Sequence, residues 1–204
     1  MDFFNSESLD SLNKIYRINL INSITGYKSA NLLGTVSNKG IENLAIFSSV
    51  THLGSNPALL SFFVRPNVVP RNTYKNIKEK KFFTVNHISK EKIDDAHHTS
   101  AKYNEEISEF DKTTFQPEYK KNWKAPFVKD SVVQLGCKFL SEYLIKENGC
   151  SMIVASIELI FIRKGLLKSD GWVELARGNV VTVNGLDAYA LPKTIKRLKY
   201  ERPK

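Results

Sequence analysis

Short, largely apolar segments separated by turn residues recur along the chain, which is the pattern of β-strands. Residues 28–50 predict two short strands joined by a turn over 38–40, and residues 57–66 predict a third strand. A helix of about two turns is predicted from Thr73, followed by a strand over 81–88. The first half of the chain is therefore predicted to be rich in strands, with one short helix.

The clearest alternation, over residues 132–149, predicts a long strand that turns into a second apolar strand at 150–163. One face of the first strand is predicted to carry Val133, Leu135, Cys137, Phe139, Tyr143 and Ile145, and the other face Gln134, Lys138, Glu142 and Lys146. If Asn148 and Gly149 form a two-residue turn, residues whose numbers sum to 297 pair, and Cys137 faces Ile160. The thiols of Cys137 and Cys150 would then lie roughly 30 Å apart, so both are predicted to be reduced.

The remaining segments favour a β-barrel or β-sandwich over a parallel α/β fold, because strand candidates outnumber helices. Two more strands are predicted at 170–175 and 177–183, and the polar first residues are predicted to be helical or irregular. The highly charged residues 89–125 predict one or two helices and a long loop lying over the strands. No repeat or linker divides the chain, so 1–204 is predicted to be a single domain.

Composition narrows the class of protein without identifying it. Hydrophobic residues make up 42% and charged residues 25%, which is ordinary for a globular protein. No apolar run approaches the roughly 18 to 20 residues that span a bilayer, and the acidic start has no secretory n-region. We therefore expect no membrane association and a cytoplasmic location.

The net charge of +9 is concentrated at the end of the chain. Residues 193–204 hold six Lys/Arg and one Glu, a net of +5, so the other residues carry only +4. This basic tail is compatible with a solvated end, a phosphorylated ligand or nucleic acid. The charge alone does not predict a nucleic-acid-binding protein.

The stretch RPNVVPRNTYKNI, residues 65–77, carries the most suggestive chemistry. Thr73 or Asn72 suits the N-cap of the predicted helix, and a well-capped surface turn is one interpretation. Arg71, however, stands at the positive end of the helix dipole, where a cation is unfavourable unless an anion binds. Free N–H groups, a hydroxyl and a guanidinium together predict an anion site suited to phosphate.

A second polar cluster follows the apolar strand over residues 43–50. Ser48, Ser49 and Thr51 are either a solvated strand end or further donors to the same anion. A phosphate anchor beside an apolar slot suits flavin mononucleotide (FMN). The adjacent His97 and His98 cannot both face one metal ion, and no metal site is predicted; they are either exposed loop residues or hydrogen-bond donors to a ligand.

Several stretches in a fixed order resemble the flavin reductase-like family of FMN-binding split-barrel proteins, of the flavoredoxin type. These stretches are GTVSNKGIENLAIFSSV, NPALLSFFVRP, RNTYKNI and KFFTVN, followed by AHHTSAKY, SEF, APFVKDSVVQLGCK and GLDAY. The resemblance covers about residues 27–190, which would form the core, with the basic tail at 193–204. One departure is GLDAYALP, where NAD(P)H-dependent members often carry a stretch with Gly and His.

The resemblance implies a mainly β fold, a six-stranded Greek-key split β-barrel with a few short helices over it. It also implies a homodimer with FMN near the subunit interface. The residues implied to line the flavin are Asn43, Ala45, Phe47, Ser48 and Ser49; those implied at its phosphate are Arg71 and Thr73, with Asn72 beside them. The stretch 97–110 is implied near the open face of the flavin, with the partner subunit as one source.

The leading hypothesis is an FMN-binding oxidoreductase that takes a hydride at flavin N5 from NAD(P)H and passes electrons to a small-molecule acceptor. The alternative is a flavoredoxin-like FMN electron carrier reduced by a protein partner. A third hypothesis, a basic barrel that binds single-stranded nucleic acid, is disfavoured because the aromatic residues lie mostly within strands. No catalytic side chain is predicted.

Overall fold

The computed structural model describes residues 1–66, 68–69 and 71–203. Its α-helices are α1 (Ser6–Ser11), α2 (Lys14–Ile24), α3 (Asn72–Lys80) and α4 (Ile93–His98). Its strands are β1 (Lys28–Ser29), β2 (Asn31–Val36), β3 (Glu42–Phe47), β4 (Thr51–Ser55), β5 (Ala58–Val64), β6 (Phe82–His87), β7 (Pro117–Glu118), β8 (Phe127–Val128), β9 (Val133–Ile145), β10 (Cys150–Ile162), β11 (Thr182–Asn184) and β12 (Ala188–Ala190). Short 3-10 helices cover Lys90–Lys92, Glu109–Lys112 and Leu175–Gly178.

The main sheet contains seven strands in the order β3-β2-β6-β9-β10-β5-β4. All its neighbouring strands pair antiparallel. Two smaller sheets, β1-β11-β12 and β7-β8, complete the β-structure. The mainly β prediction is confirmed, but the main sheet has seven strands rather than six, because Thr51–Ser55 pairs with β5 as a strand of its own.

Most predicted elements occur where the pattern placed them. The strands β2, β3, β5 and β6 and the helix α3 are confirmed, and so is the turn between β2 and β3. Residues 89–125 contain one α-helix and short 3-10 turns within a long loop, as predicted. The polar start forms two helices.

The register predicted for the β9–β10 hairpin is wrong. Cys150 pairs with Ile145, so the turn spans four residues, and Cys137 faces Ile157 rather than Ile160 after one register shift. A two-residue type I′ turn needs positive φ at both central residues, but only Gly149 has it, with φ 70°. The predicted free thiols at Cys137 and Cys150 are confirmed.

The predicted faces of β9 hold in its first half only. Cys137 is buried and Lys138 exposed, as predicted, but Gln134 is buried because its amide donates to the Val128 carbonyl at 2.6 Å. Tyr143 is 55% exposed because the hairpin extends beyond the core. Alternation of buried and exposed side chains fails where a polar side chain has buried hydrogen-bond partners, and where the strand extends beyond the core that covers its inner face.

The strand predicted at 170–175 is wrong, and the strand predicted at 177–183 is mostly wrong. The first contains a single bridge, Leu167–Val173, and a tight turn at Gly171 with φ 85°. The second begins as a 3-10 helix and becomes a strand only at Thr182. Turn chemistry overrides strand propensity here.

Three groups of buried side chains form the core. The group that positions the site lies between the main sheet and α3 and includes Leu33, Phe62, Ile77, Phe83 and Ile153. A second group on the other side of β3 contains Leu44, Phe110 and Val183. In the described part of the chain, no helix is long and apolar enough to cross a membrane.

Candidate functional site

The N-terminus of α3 is fixed against β3 by a buried hydrogen bond. Asn43 donates from Nδ2 to Oγ1 of Thr73 over 2.9 Å, and the two residues are only 6% and 7% exposed. This contact brings together two predicted site residues that lie 30 positions apart. It gives the predicted anion site a defined place, at the start of α3 beside the edge strand of the main sheet.

The predicted capping arrangement is wrong. The N-cap residue of α3 is Arg71, with extended φ −131°, and its side chain makes no hydrogen bond to the helix. Thr73 cannot serve as the cap because it lies inside the first turn and its hydroxyl accepts from Asn43. The first turn of α3 therefore keeps N–H groups that no capping side chain satisfies, which favours an anion there.

Arg71 adds a cation to this helix end. Its Nε donates to the Pro66 carbonyl over 3.3 Å, which fixes the start of the side chain. Among the described residues, no carboxylate lies within salt-bridge distance of the Arg71 guanidinium. Asn72 is the first residue of the helix and is half-buried.

A second buried pair sets the angle of α3. Asn76 donates from Nδ2 to Oγ1 of Thr35 on β2 over 3.1 Å, and both residues are buried. Asn76 follows Thr73 by one helical turn, so the two polar side chains face the sheet together. Asn76 is not among the predicted site residues, and its spacing from Thr73 is the signal that could have identified it.

The predicted residues of β3 share one face. Asn43, Ala45 and Phe47 alternate with Leu44 and Ile46 along the strand, so their side chains point the same way. The ring of Phe47 packs edge-on against Phe62 with centroids 5.4 Å apart. This face offers a flat apolar wall that ends in the Asn43–Thr73 pair.

The two serines after β3 have different surroundings. The Ser49 hydroxyl accepts from the Phe63 backbone N–H at 3.1 Å and lies 3.3 Å from the Phe63 carbonyl, so it ties β3 to β5. Ser48 is half-buried. Thr51 is exposed and begins β4, so it lies on the next strand rather than at the end of β3.

A carboxylate accepts a hydrogen bond from the outer edge of β3. Glu109 is only 5% exposed, and its Oε2 accepts from the Leu44 backbone N–H over 2.9 Å. Burial raises the pKa of this carboxyl above its ordinary value. The C-terminal end of the predicted stretch 97–110 thus packs against β3 of its own chain. The motif SEF includes Glu109, but the motif alone does not predict this contact.

Two cavities flank α3. One of about 120 Å³ lies between α3 and the β2–β3 turn and is lined by Asn43, Asn72 and Lys75 among others. Lys75 pairs with Glu105 at 2.7 Å across its mouth. The other cavity, about 570 Å³, lies on the opposite side of α3, beside Tyr74.

The histidine pair of α4 is engaged by tyrosines. His97 Nδ1 lies 3.0 Å from the Tyr189 hydroxyl, and His98 Nε2 lies 2.7 Å from the Tyr103 hydroxyl. Both rings therefore have one nitrogen in a contact within the chain. No group of three or more His, Cys, Asp or Glu side chains that could hold a metal occurs among the residues that the structure describes.

Comparison with known families gives one match over three quarters of the chain. Residues 25–177 match the model of the flavin reductase like domain. An uncharacterised protein of Aquifex aeolicus is 33% identical over 108 residues, which are 52% of this chain and 55% of that protein. The uncharacterised protein YwrF of Bacillus subtilis is 31% identical over 125 residues, 60% of each chain. The alignments thus span less than two thirds of these relatives.

Solved structures extend the similarity along nearly the whole chain. A split barrel domain protein from Shewanella frigidimarina is 36% identical, with a TM-score of 0.95 over 98% of this chain and 100% of that one. Nitrilotriacetate monooxygenase component B from Bacillus cereus has 18% identity and a TM-score of 0.84, over 97% and 98% of the two chains. Flavoredoxin of Desulfovibrio vulgaris has 16% identity and a TM-score of 0.74, over 85% and 91%. The split-barrel prediction is confirmed.

Proposed function

The chain belongs to the flavin reductase-like domain family, and from this premise we propose that it is an FMN-binding oxidoreductase. The observation that carries the proposal is the α3 N-terminus, which has no side-chain cap, carries Arg71, and is held against β3 by the Asn43–Thr73 bond. Helix N–H groups and a guanidinium together suit a phosphate dianion. This chemistry favours a flavin nucleotide over unphosphorylated riboflavin.

The residues present also fit the rest of FMN. Ala45 and Phe47 offer an apolar wall on the same face of β3 as Asn43, and Phe47 is braced by Phe62. Ser48 and Ser49 follow that wall with backbone and hydroxyl groups. An apolar slot with a few polar groups at its ends is the usual form of a cofactor site.

In the proposed mechanism, bound FMN supplies hydride and electron transfer, and the protein supplies binding and orientation. The α3 N-terminus and Arg71 would hold the phosphate and so anchor the cofactor beside β3. Phe47 and Phe62 exclude water from the apolar wall. The chain needs no nucleophile or acid–base pair for this chemistry, and NAD(P)H is the proposed electron donor.

Several proteins that share this fold are named for a flavin or for FMN. They include flavoredoxins of Desulfovibrio vulgaris and Methanosarcina acetivorans and an FMN-binding protein from Thermus thermophilus. Their identities to this chain, 14–18%, carry the fold alone. The assignment of FMN to this chain therefore rests on the chemistry of the α3 N-terminus.

The proposal is tested by chromophore analysis and reduction. Purified protein, or protein mixed with FMN, should show a flavin spectrum, and the released chromophore should be FMN rather than FAD. Anaerobic addition of NADH or NADPH should then bleach the flavin absorbance. Protein that neither retains nor binds FMN in titration would contradict the proposal.

A second candidate function is an FMN electron carrier reduced by a protein partner. It is favoured by the contacts of His97 with Tyr189 and of His98 with Tyr103. Each contact engages one ring nitrogen, so each histidine has only its other nitrogen for a hydrogen bond to a nicotinamide. FMN that is bound but stays oxidised with both NADH and NADPH would select this candidate.

We also propose a homodimer. Helix α2 has no buried residue and exposes Ile15, Tyr16 and Ile24. Because large apolar side chains are ordinarily covered, a second copy of the chain is the proposed cover.

A further inference from the structure

The edge of β3 carries a buried carboxylate that the proposed chemistry does not use. β3 is the first strand of the main sheet, so its outward backbone groups face no neighbouring strand in that sheet. In an antiparallel strand the N–H and C=O of one residue point to the same side. The Leu44 N–H points away from β2 and donates to Oε2 of Glu109 over 2.9 Å.

Local hydrogen bonds and packing hold the backbone around Glu109 in place. Ser108 caps the 3-10 helix Glu109–Lys112 by accepting from the Phe110 N–H at 3.2 Å. Thr113 closes the same turn by donating its hydroxyl to the Glu109 carbonyl at 2.8 Å. Phe110 is buried in one group with Leu44, so the carboxylate and the strand edge are locked together by packing as well as by hydrogen bonding.

The bond lies in the middle of the proposed cofactor site. Leu44 is flanked by Asn43, which bonds Thr73, and by Ala45, which lies on the proposed apolar wall. A movement of the backbone at Leu44 therefore reaches the phosphate end and the ring wall together. Positioning groups must be held to within roughly 0.5 Å to be effective.

We propose that Glu109 is a positioning residue for FMN: by holding the Leu44 N–H, it fixes β3 in the register that joins Asn43 to Thr73. This inference rests on the proposed function. The role needs an acceptor oxygen at the end of a side chain of this length, rather than a negative charge. Glutamine should therefore replace Glu109, and alanine should not.

The test uses four variants of the full chain. Glu109→Ala should weaken FMN binding at least about tenfold, and Glu109→Gln should stay within about threefold of the wild type. Asp111→Asn removes an exposed carboxylate from the same 3-10 helix and should change nothing. Val180→Ala creates a cavity in the third core group, which contains Val132, Val133, Leu166 and Val180. It serves as a control that loses stability, as Glu109→Ala does, without changing a contact of β3.

A measurement on the FMN-free protein tests the Glu109–Leu44 contact independently of FMN binding. Hydrogen exchange of the Leu44 amide should be at least about tenfold faster in Glu109→Ala and unchanged in Glu109→Gln. The visible circular dichroism of bound FMN should also change in Glu109→Ala and not in Val180→Ala.

The outcomes distinguish the proposed function from the positioning role of Glu109. Wild-type protein that binds no FMN overturns the proposed function and, with it, the role of Glu109 toward the cofactor. Wild-type protein that binds FMN while Glu109→Ala binds it equally well overturns the positioning role alone. Equal weakening in Glu109→Ala and Val180→Ala at matched stability also overturns it, because the effect would then be stability alone.

Discussion

Arg71 stands at the positive end of the α3 dipole, and its charge is costly there until an anion arrives. Replacing it with alanine removes one charge-assisted contact to the proposed phosphate. We expect Arg71→Ala to lose about 2 to 3 kcal/mol of FMN binding, or roughly 30- to 150-fold in affinity. Fluorescence titration of FMN at fixed salt measures the change.

The control for Arg71 is an arginine away from α3. Arg177 lies on the 3-10 helix Leu175–Gly178 and donates to the Gly165 carbonyl at 3.3 Å in an exposed contact, so Arg177→Ala should leave FMN affinity unchanged. Riboflavin, which lacks the phosphate, should bind wild type and Arg71→Ala alike. Unaltered FMN affinity in Arg71→Ala would remove Arg71 from the site.

His87, at the end of β6, should make stability depend on pH. Burial lowers the pKa of His87 to about 4, below its unfolded value of 6.5, so the neutral ring is the folded form. The unfolded chain therefore binds an extra proton between these pKa values. Stability from this residue is complete above pH 6.5 and is lost as the pH falls toward 4.

Urea unfolding of wild type and His87→Gln measures this contribution. On moving from about pH 7.5 to about pH 5, the wild type should lose about 2 kcal/mol more than the variant. Carboxylates titrate equally in both proteins, so the difference isolates the imidazole. Parallel pH curves for the two proteins would show that His87 is solvated.

Part of the proposed site has a local sequence signal. The start of α3 at Arg71, Asn72 and Thr73 is predictable from the local order of residues, since helix ends have local signals. The true roles of Thr73 and Asn76 depend on Asn43 and Thr35, which meet them only in the folded chain. Glu109 was missed for the same reason, because its partner Leu44 is 65 residues away.

At the scale of elements, β2 tolerates no side chain at one position. A Cβ on Gly34 would overlap the Pro126 carbonyl oxygen and lie 2.6 Å from the Thr84 hydroxyl, where the segment before β8 crosses the strand. Thr84 also donates to that carbonyl at 2.6 Å. We expect Gly34→Ala to lower the free energy of unfolding by about 2 to 3 kcal/mol.

Urea denaturation checks the Gly34 prediction. Thr51→Ala, on the exposed strand β4, serves as the control and should change stability by less than about 0.5 kcal/mol. Equal stability of Gly34→Ala and wild type would mean that the crossing segment moves aside freely.

Strands that are short apolar runs bounded by turn residues were predictable, and elements shaped by turns were not. The strands β2, β3, β5 and β6 are of the first kind, and β2 and β6 are buried over most of their length. The four-residue turn after β9 depends on a single positive φ at Gly149, and two bulges shift the register further. Neither leaves a mark on the hydrophobic pattern.

At the scale of the whole molecule, the basic tail is partly attached rather than wholly solvated. Arg197 lies over the Trp172 ring at 4.2 Å and pairs with Asp170 at 2.8 Å. Ile195, Leu198 and Tyr200 remain exposed on either side of this anchor. The tail therefore exposes both basic and apolar side chains to solvent.

The proposed homodimer gives a prediction at the same scale. Light scattering after gel filtration should give twice the 23.2 kDa of one chain. Ile15→Asp combined with Ile24→Asp places charges at two exposed apolar positions of α2 and should shift the protein toward the monomer. Lys14→Asp, on the same helix, controls for the added charge. A wild-type mass of one chain at micromolar concentration would contradict the dimer.

The carboxylate of Glu109 gives the main sheet two unlike ends. At β3 the outward N–H of Leu44 already has its acceptor, whereas β4 is exposed over nearly its whole length and faces no further strand of this sheet. A strand from another molecule would find β4 open to pairing, whereas at β3 it would have to displace the Glu109 carboxylate from the Leu44 N–H. A buried side chain thus protects one edge of the sheet against edge-to-edge aggregation.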